Sequence, residues 1–307
     1  MKNEFLAIVG GALDASIAGN IGKACRKTMH FQPSMINISS DSRVNKEEAV
    51  FVDLELNQYG KQQLSFDNDY FHISLSGYPV SELYNSEGCF AEAIASFLKK
   101  DSFESLIAKI YGSFSIIVFD KIKRRLIALA DPSGVEPIFY SKTGGKLLVS
   151  SRSSLISYIL SESFDIDPSI LAEIGMHANI LGGDSIFKNV MHLKPGEILS
   201  CSLGCPQFII EKSSDFFNNS HKSNYIDAAE GFIKTWEVFG KFLPNEITLS
   251  LTGGKDSRLN LAGALAAGLK DRILCFTNGS EDHPEVEAAR QVAKQAGVRH
   301  IHRPPSK

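Results

Sequence analysis

The stretch "ITLSLTGGKDSRLNLAGALAAG", residues 247–268, decides how the second half of this chain folds. A short apolar strand runs into two adjacent glycines, then an acid and a hydroxyl, and a helix of small residues follows. Glycine-rich turns between a strand and a helix cradle anions well. Their backbone N–H groups converge, and the helix adds the positive end of its dipole. Three designs compete. The Walker A loop requires G-x-x-x-x-G-K followed by Ser or Thr. Here Gly254-Lys255 is followed by Asp256, and the leading position holds Leu249. The dinucleotide fingerprint G-x-G-x-x-G needs a third glycine at an offset this stretch lacks.

What remains is Thr252-Gly253-Gly254-Lys255-Asp256-Ser257 between strand and helix. Gly253 and Gly254 permit the close-approach backbone that turns successive amides toward an anion. Thr252 and Ser257 offer hydroxyl donors. An aspartate facing a phosphate would repel it unless a divalent cation sits between them, so Asp256 implies Mg²⁺. The plainer alternative is a tight turn in which Asp256 or Ser257 merely caps the helix. Such a cap requires neither two preceding glycines nor a hydroxyl on each side.

Beyond the loop, strand "RILCFTNG" and helix "PEVEAARQVAKQAG" continue a β-α-β-α series, which implies a parallel sheet with crossover helices. "RHIHRPPSK" begins what reads as a third strand. Asp282 and Glu285 read as a D-x-x-E capping box, with Pro284 in the first turn. Ahead of the loop, Ile226, Ala229, Ile233 and Trp236 recur at helical spacing, and the Ser- and Asn-rich segment 211–224 reads as a linker.

The first 203 residues are mostly strands. "FVDLEL" (51–56), "YFHISL" (70–75), "FSIIVFD" (114–120) and "RLIALAD" (125–131) are rich in β-branched and aromatic residues. "FSIIVFDKIKRRLIALAD" reads as a hairpin, with the basic cluster Lys121, Lys123, Arg124 and Arg125 at its solvated turn. "PIFYSKTGGKLLVSS" reads as another, turning at Gly144-Gly145. Helices are expected over 90–99, 103–111 and 155–160, with one more starting at Pro168 under an Asp167 cap. Hairpins interleaved with helices argue for an α+β layered domain.

Composition bounds the rest. The chain has 307 residues, 43% apolar and 22% charged, with a net charge of −3. That leaves no electrostatic footprint for nucleic acid or an acidic membrane surface. Five cysteines make no disulfide framework, and the eight histidines form no HExxH pattern. Cys201 and Cys205 fit a turn better than a redox or zinc motif. The N-terminal run "FLAIVGG" imitates a signal peptide, but Glu4 and Asp14 interrupt it and its length suits a buried first strand. No stretch approaches the ~18 apolar residues of a membrane span. A cytosolic protein is expected.

Residues 252–257 resemble the S-G-G-x-D-S loop of the ATP pyrophosphatases, with Thr in place of the first Ser. "FTNGSEDHPEVEAARQVAKQAGVRHIH" is similar to the segment that follows this loop in asparagine synthetases. The resemblance implies ATP and Mg²⁺ as cofactors, Asp256 as metal ligand and catalytic residue, and Thr252, Gly253, Gly254 and Ser257 around pyrophosphate. It also places Leu251, Asn278 and Gly279 beside adenine. "YGSFSIIVFDKIKRRLIALADPSGVEPIFYS" resembles the family's glutaminase domain at Gly112, Phe114, Asp120, Asp131, Gly134, Pro137 and Tyr140, which are turn and core residues.

The implied architecture is an N-terminal nucleophile-hydrolase-like αββα sandwich over 1–208, a linker over 209–224, and a partial Rossmann-like PP-loop domain over 225–307. That last domain is read as truncated, with apolar faces partly uncovered. The glutaminase chemistry reads as lost. Its nucleophile is a cysteine exposed by removal of Met1, whereas this chain opens Met1-Lys2-Asn3 and its first cysteine is Cys25. The family's Asn-Gly oxyanion pair falls at Ser76-Gly77, and its acidic glutamine-binding residue has no clear counterpart near Glu87-Gly88-Cys89. A synthetase domain on a dead glutaminase resembles the layout of β-lactam synthetases and lasso-peptide cyclases. The activity implied is ATP-dependent amide formation through an acyl-adenylate, on a small molecule or peptide carrying a carboxylate and an amine. The alternatives are an ammonia-dependent asparagine synthetase and a non-catalytic fragment that only binds nucleotide. A homodimer or a companion biosynthetic enzyme fits this layout; a nucleic acid or a membrane does not.

Overall fold

The computed structural model describes residues 3–10, 15–28, 35–40, 49–55, 64–84, 89–180, 185–204, 207–212, 224–243 and 245–305. The chain divides into two compact units, Met1–Asn219 and Ser220–Lys307.

Among the described residues, the first unit holds two six-stranded sheets. One contains β1 (Glu4–Val9), β2 (Met35–Ser40), β3 (Ala49–Glu55), β8 (Ile138–Thr143), β9 (Lys146–Ser150) and β10 (Met191–Leu193), in the order β10-β8-β9-β1-β3-β2. The other contains β4 (Ser65–Asp67), β5 (Phe71–Ser81), β6 (Ile110–Asp120), β7 (Arg125–Ala130), β11 (Glu197–Ser202) and β12 (Phe208–Lys212), in the order β12-β11-β7-β6-β5-β4. Their pairings are antiparallel.

Strand periodicity builds the layers. Phe5, Ala7 and Val9 of β1 face the core shared with Ile117, Phe119, Leu126 and Ala128 of the other sheet. The alternate residues Leu6 and Ile8 face Ile21, Ala24 and Cys25 of α1 (Ala15–Thr28) and Leu155, Ile156 and Ile159 of α4 (Ser153–Ser161). A strand covered on both faces reads as a continuous apolar run, and β1 does. On the opposite side, α2 (Phe90–Leu98) packs on β4 and β5 and buries Phe90, Ala91, Ile94 and Ala95. Helix, sheet, sheet, helix is the resulting order, an αββα sandwich. Glu4 is buried at the start of β1 and ion-paired to Arg152 at 3.0 Å.

Two local expectations change. The helix expected over 103–111 ends early: α3 spans Phe103–Ile107, and Ile110 and Tyr111 open β6. Those two residues pair with Ser81 and Val80 of β5, and ladder pairing overrides helical spacing in a short segment. Residues 209–212 of the expected linker lie in β12, which pairs with β11 as an edge strand. Residues 213–223 lie outside the described residues, as do Cys205 and Glu87-Gly88. The helix at Pro168 is present as α5 (Pro168–His177), with the Asp167 side chain accepting from the Ser169 N–H.

A polar chain crosses between the sheets. Ser74 donates to Asp53 of β3, His72 Nε2 lies 2.9 Å from Ser74 Oγ, and His72 Nδ1 lies 3.0 Å from Asp67 Oδ1. Lys121 completes it, 2.9 Å from Asp67 Oδ1. Burial pushes the Asp67 carboxyl up, but hydrogen bonds and charge from His72 and Lys121 outweigh it and hold the group below its ordinary value. A carboxyl depressed in the folded state stabilises above its unfolded pKa, and that stability is lost as pH falls through the folded value. Denaturant unfolding should therefore show stability dropping below about pH 4. Asp67→Asn should flatten that part of the profile. A parallel acid dependence in wild type and variant would remove Asp67 from the explanation.

The second unit opens with α6 (Tyr225–Phe242), capped by Asn224, which accepts from Ile226 and Asp227 while the Asp227 side chain answers the Asn224 N–H. It continues as a three-stranded parallel sheet in the order β13 (Ile247–Ser250), β14 (Ile273–Asn278), β15 (Arg299–Arg303). The crossover helices are α7 (Lys255–Ala266) and α8 (Pro284–Ala296). Leu251, Leu261, Ala264, Ile273, Cys275, Ala289 and Ala293 form the core, with Trp236 against it. Leu259 and Ile301 stay 58% and 43% exposed, apolar surface that this unit does not cover. Among the described residues, no helix is long and apolar enough to cross a membrane.

Candidate functional site

The glycine loop leaves β13 at Ser250 and enters α7 at Lys255, at the carboxyl end of a parallel strand, where open α/β sheets present ligand sites. Gly254 is the N-cap, and no side chain caps the helix. Asp256 and Ser257 therefore do not cap the helix; the Ser257 hydroxyl instead ties the turn together. Asp256 lies exposed in the first turn of α7.

Three consecutive amides are held by side chains. The Thr252 N–H donates to Ser257 Oγ at 3.1 Å, Gly253 N–H to Glu285 Oε2 at 2.7 Å, and Gly254 N–H to Thr252 Oγ1 at 3.0 Å. Thr252 Oγ1 and Ser257 Oγ lie 3.0 Å apart, and Ser257 also reaches the carbonyls of Thr252 and Gly254 at 3.1 and 3.2 Å. Thr252, Gly254 and Ser257 thus form one ring of contacts, while Gly253 is held from outside it by Glu285. A Cβ on Gly253 would sit 3.1 Å from the Ala288 Cβ, so α8 packs close against the loop. Arg258 Nε donates to the Gly254 carbonyl at 3.2 Å, which turns its charge toward the loop.

The floor beneath is built from β14. Leu251 is buried, with its N–H bound to the Phe276 carbonyl at 2.8 Å and its carbonyl taken by Thr277 Oγ1 at 2.6 Å. Thr277 has spent its single proton there, so His300 Nε2, 2.8 Å from Thr277 Oγ1, must be the donor in that pair. Burial, then the charges of Arg290 and His302, holds His300 below its ordinary pKa, consistent with a neutral ring protonated at Nε2. Asn278 ends β14 exposed. Gly279 takes φ +145, its N–H donates to the Arg303 carbonyl at 3.2 Å, and its carbonyl accepts from His302 Nε2 at 2.8 Å.

The capping box expected at Asp282 and Glu285 is not formed. His283 is the N-cap, its Nδ1 accepting from the Glu285 N–H at 3.2 Å, and Pro284 opens the helix. Glu285 is thereby released to reach the loop. Sequence spacing pointed to a local role for it; a contact spanning 32 residues has no local signal. Thr277 and His300 were missed for the same reason.

Mg²⁺ takes one or two carboxylates and completes its shell with phosphate oxygens and water. Among the described residues, no group of three or more His, Cys, Asp or Glu could hold a metal ion. A cation here would need ligands from the anion as well as from Asp256.

In the first unit, the residues shared with the glutaminase pattern are structural. Asp131 is wholly buried and accepts from the N–H groups of Phe114, Ser133 and Glu136 at 3.2, 2.8 and 3.2 Å. Asp120 accepts from Ile122 and Lys123 at 3.0 and 2.8 Å across the hairpin turn. Ser76 is fully buried opposite Ser115, where the family pattern would carry an amide side chain. Cys25 lies buried in α1, and burial pushes its thiol up to about 11.

Residues 84–207 match the family model described as a glutamine amidotransferase domain. Among curated proteins, the chain is 26% identical over 248 residues to the "Probable asparagine synthetase (glutamine-hydrolyzing)" of Acanthamoeba polyphaga mimivirus, covering 73% of this chain and 40% of that protein. It is 30% identical over 100 residues to the "Asparagine synthetase (glutamine-hydrolyzing) 3" of Bacillus subtilis strain 168, covering 32% and 16%. Together these matches support a relation to the asparagine synthetase family. The chain spans well under half the length of these relatives. Among solved structures, glutamine phosphoribosylpyrophosphate amidotransferase from B. subtilis, complexed with ADP and GMP, aligns at a TM-score of 0.45 and 11% identity over 97% of this chain and 65% of that one.

Proposed function

We propose that the second unit is a PP-loop nucleotide site, part of a Rossmann-like ATP-pyrophosphatase domain, and that this chain takes part in ATP-dependent amide formation. The carrying observation is the loop between β13 and α7, where two glycines, the paired hydroxyls of Thr252 and Ser257 and an exposed Asp256 in the first turn of α7 lie within six positions. Names of the relatives, asparagine synthetases, agree with that chemistry.

In this reading Thr252, Gly253, Gly254 and Ser257 hold the pyrophosphate part of ATP, and Asn278 and Gly279 lie beside the base. Leu251 supports that end from the core. Mg²⁺, when bound, supplies charge neutralisation between Asp256 and the phosphate oxygens. The loop's own contribution is positioning and preorganised donors. A substrate carboxylate attacks the α-phosphorus, giving acyl-AMP and releasing pyrophosphate. An amine then attacks the acyl carbon, forming the amide and releasing AMP. Cyclisation within one molecule, a peptide or small amino acid derivative, is the form of this chemistry that needs no ammonia. The first unit is read as a scaffold without glutaminase activity, on the strength of Ser76 in place of an amide donor and a buried, unreactive Cys25 thiol.

Titration calorimetry of the whole chain with ATP tests the nucleotide reading. Binding is expected with Mg²⁺ and should weaken at least about tenfold in EDTA. Absence of ATP binding in both conditions would end it. Release of glutamate from glutamine by the pure protein would end the scaffold reading of the first unit.

A further inference from the structure

We infer that Glu285 makes this loop selective for a metal-complexed polyphosphate over a bare anion; the inference rests on the nucleotide reading of the loop. The Gly253 amide already holds an anion, the Glu285 carboxylate at 2.7 Å, a length typical of charge-assisted bonds. That contact is an observation about the loop amide itself, separate from the end of α7.

The three loop amides are not equivalent. Those of Thr252 and Gly254 are held by the hydroxyls of Ser257 and Thr252, which are neutral and can turn to donate to an incoming oxygen. Gly253 is held by a carboxylate, which can only accept. Glu285 and a phosphate oxygen therefore compete for one N–H, and they repel each other across it. The competition is built in by α8. His283 and Pro284 fix the first turn of that helix, and Ala288 packs against Gly253 so closely that a Cβ there would lie 3.1 Å away. A bare polyphosphate meets two carboxylates, Glu285 and Asp256. A divalent cation on the polyphosphate lowers its net negative charge and weakens the repulsion at both, so Glu285 gives up the amide at a smaller electrostatic cost.

The test is calorimetry with inorganic pyrophosphate, in EDTA and in Mg²⁺, on the whole chain and on Glu285→Gln and Glu285→Ala. Glutamine keeps an oxygen that can accept from Gly253 and removes only the charge. Wild type should bind pyrophosphate weakly in EDTA. Both variants should bind it about tenfold more tightly there, with a correspondingly smaller gain from Mg²⁺. Unchanged metal-free affinity in Glu285→Gln would overturn the inference. So would weaker binding in Glu285→Ala alone, which would make the residue a strut for the loop. If wild type binds Mg·ATP through Asp256 while Glu285→Gln changes nothing, only this inference fails. If neither wild type nor either variant binds pyrophosphate or ATP under any condition, the nucleotide reading fails with it.

Discussion

Asp256→Ala is expected to abolish Mg²⁺-dependent ATP binding, with affinity in Mg²⁺ falling at least about tenfold to the level measured in EDTA. Asp256 is exposed in the first turn of α7, next to a loop whose two hydroxyls can turn to donate to an anion. In that company a carboxylate opposes phosphate unless a cation lies between them, so its removal should cost the cation and leave the bare donors. Calorimetry with and without Mg²⁺ separates these terms. Asp256→Asn keeps the shape and loses the charge, and should behave like the alanine variant. Thr252→Ser keeps the hydroxyl that receives Gly254 and should bind as wild type does. An ATP affinity in Asp256→Ala equal to wild type in Mg²⁺ would sink the metal role of this residue.

The second large effect lies in the first unit. Gly77→Ala should destabilise the sandwich by about 3 kcal/mol or more, a large share of the roughly 5–15 kcal/mol that holds a typical domain folded. Gly77 sits inside β5 at φ +93, opposite Phe114, where an L side chain is strained before any contact is counted. An added Cβ would lie 2.4 Å from the Ser113 carbonyl oxygen and 2.5 Å from the Glu136 Cγ. The first of these is backbone and cannot step aside. Gly144→Ala is the control: φ +54 with nothing within 4 Å of the new atom, so only the cost of the left-handed conformation remains, about 1 kcal/mol. Urea unfolding of both variants decides the matter. Equal midpoints would show that the strand can shift to admit a side chain at Gly77.

The two variants probe different kinds of sequence information. The loop was legible because its meaning is local: two glycines, two hydroxyls and an acid within six positions, between a strand pattern and a helix pattern. The strand, turn and helix that pattern implied are present, and the hydroxyls of Thr252 and Ser257 meet at 3.0 Å. The hairpin at Gly144-Gly145 and the cap at Asp167 were legible for the same reason. Glu285 was read as half of a capping box because its nearest neighbours in sequence allowed one. His283 took that role, and Glu285 crossed to Gly253. Ile110 and Tyr111 were drawn into β6 by partners on β5, thirty residues earlier in the chain, which no window of helical spacing contains.

Alternation and glycine chemistry, which act between residues a few positions apart, were sufficient to define the hairpins of an α+β layered first half, the parallel β-α-β order and the composition of the loop. The two-sheet sandwich was implied only by the family resemblance. Charge pairing and side-chain reach act across the fold. They decided that Asp53, Ser74, His72, Asp67 and Lys121 would form one chain between the sheets. They also decided that the carboxylate on the Gly253 amide would come from α8. Short-range rules describe where the backbone turns. Which groups face one another after it has turned depends on register and packing, and these exist only once the strands have paired.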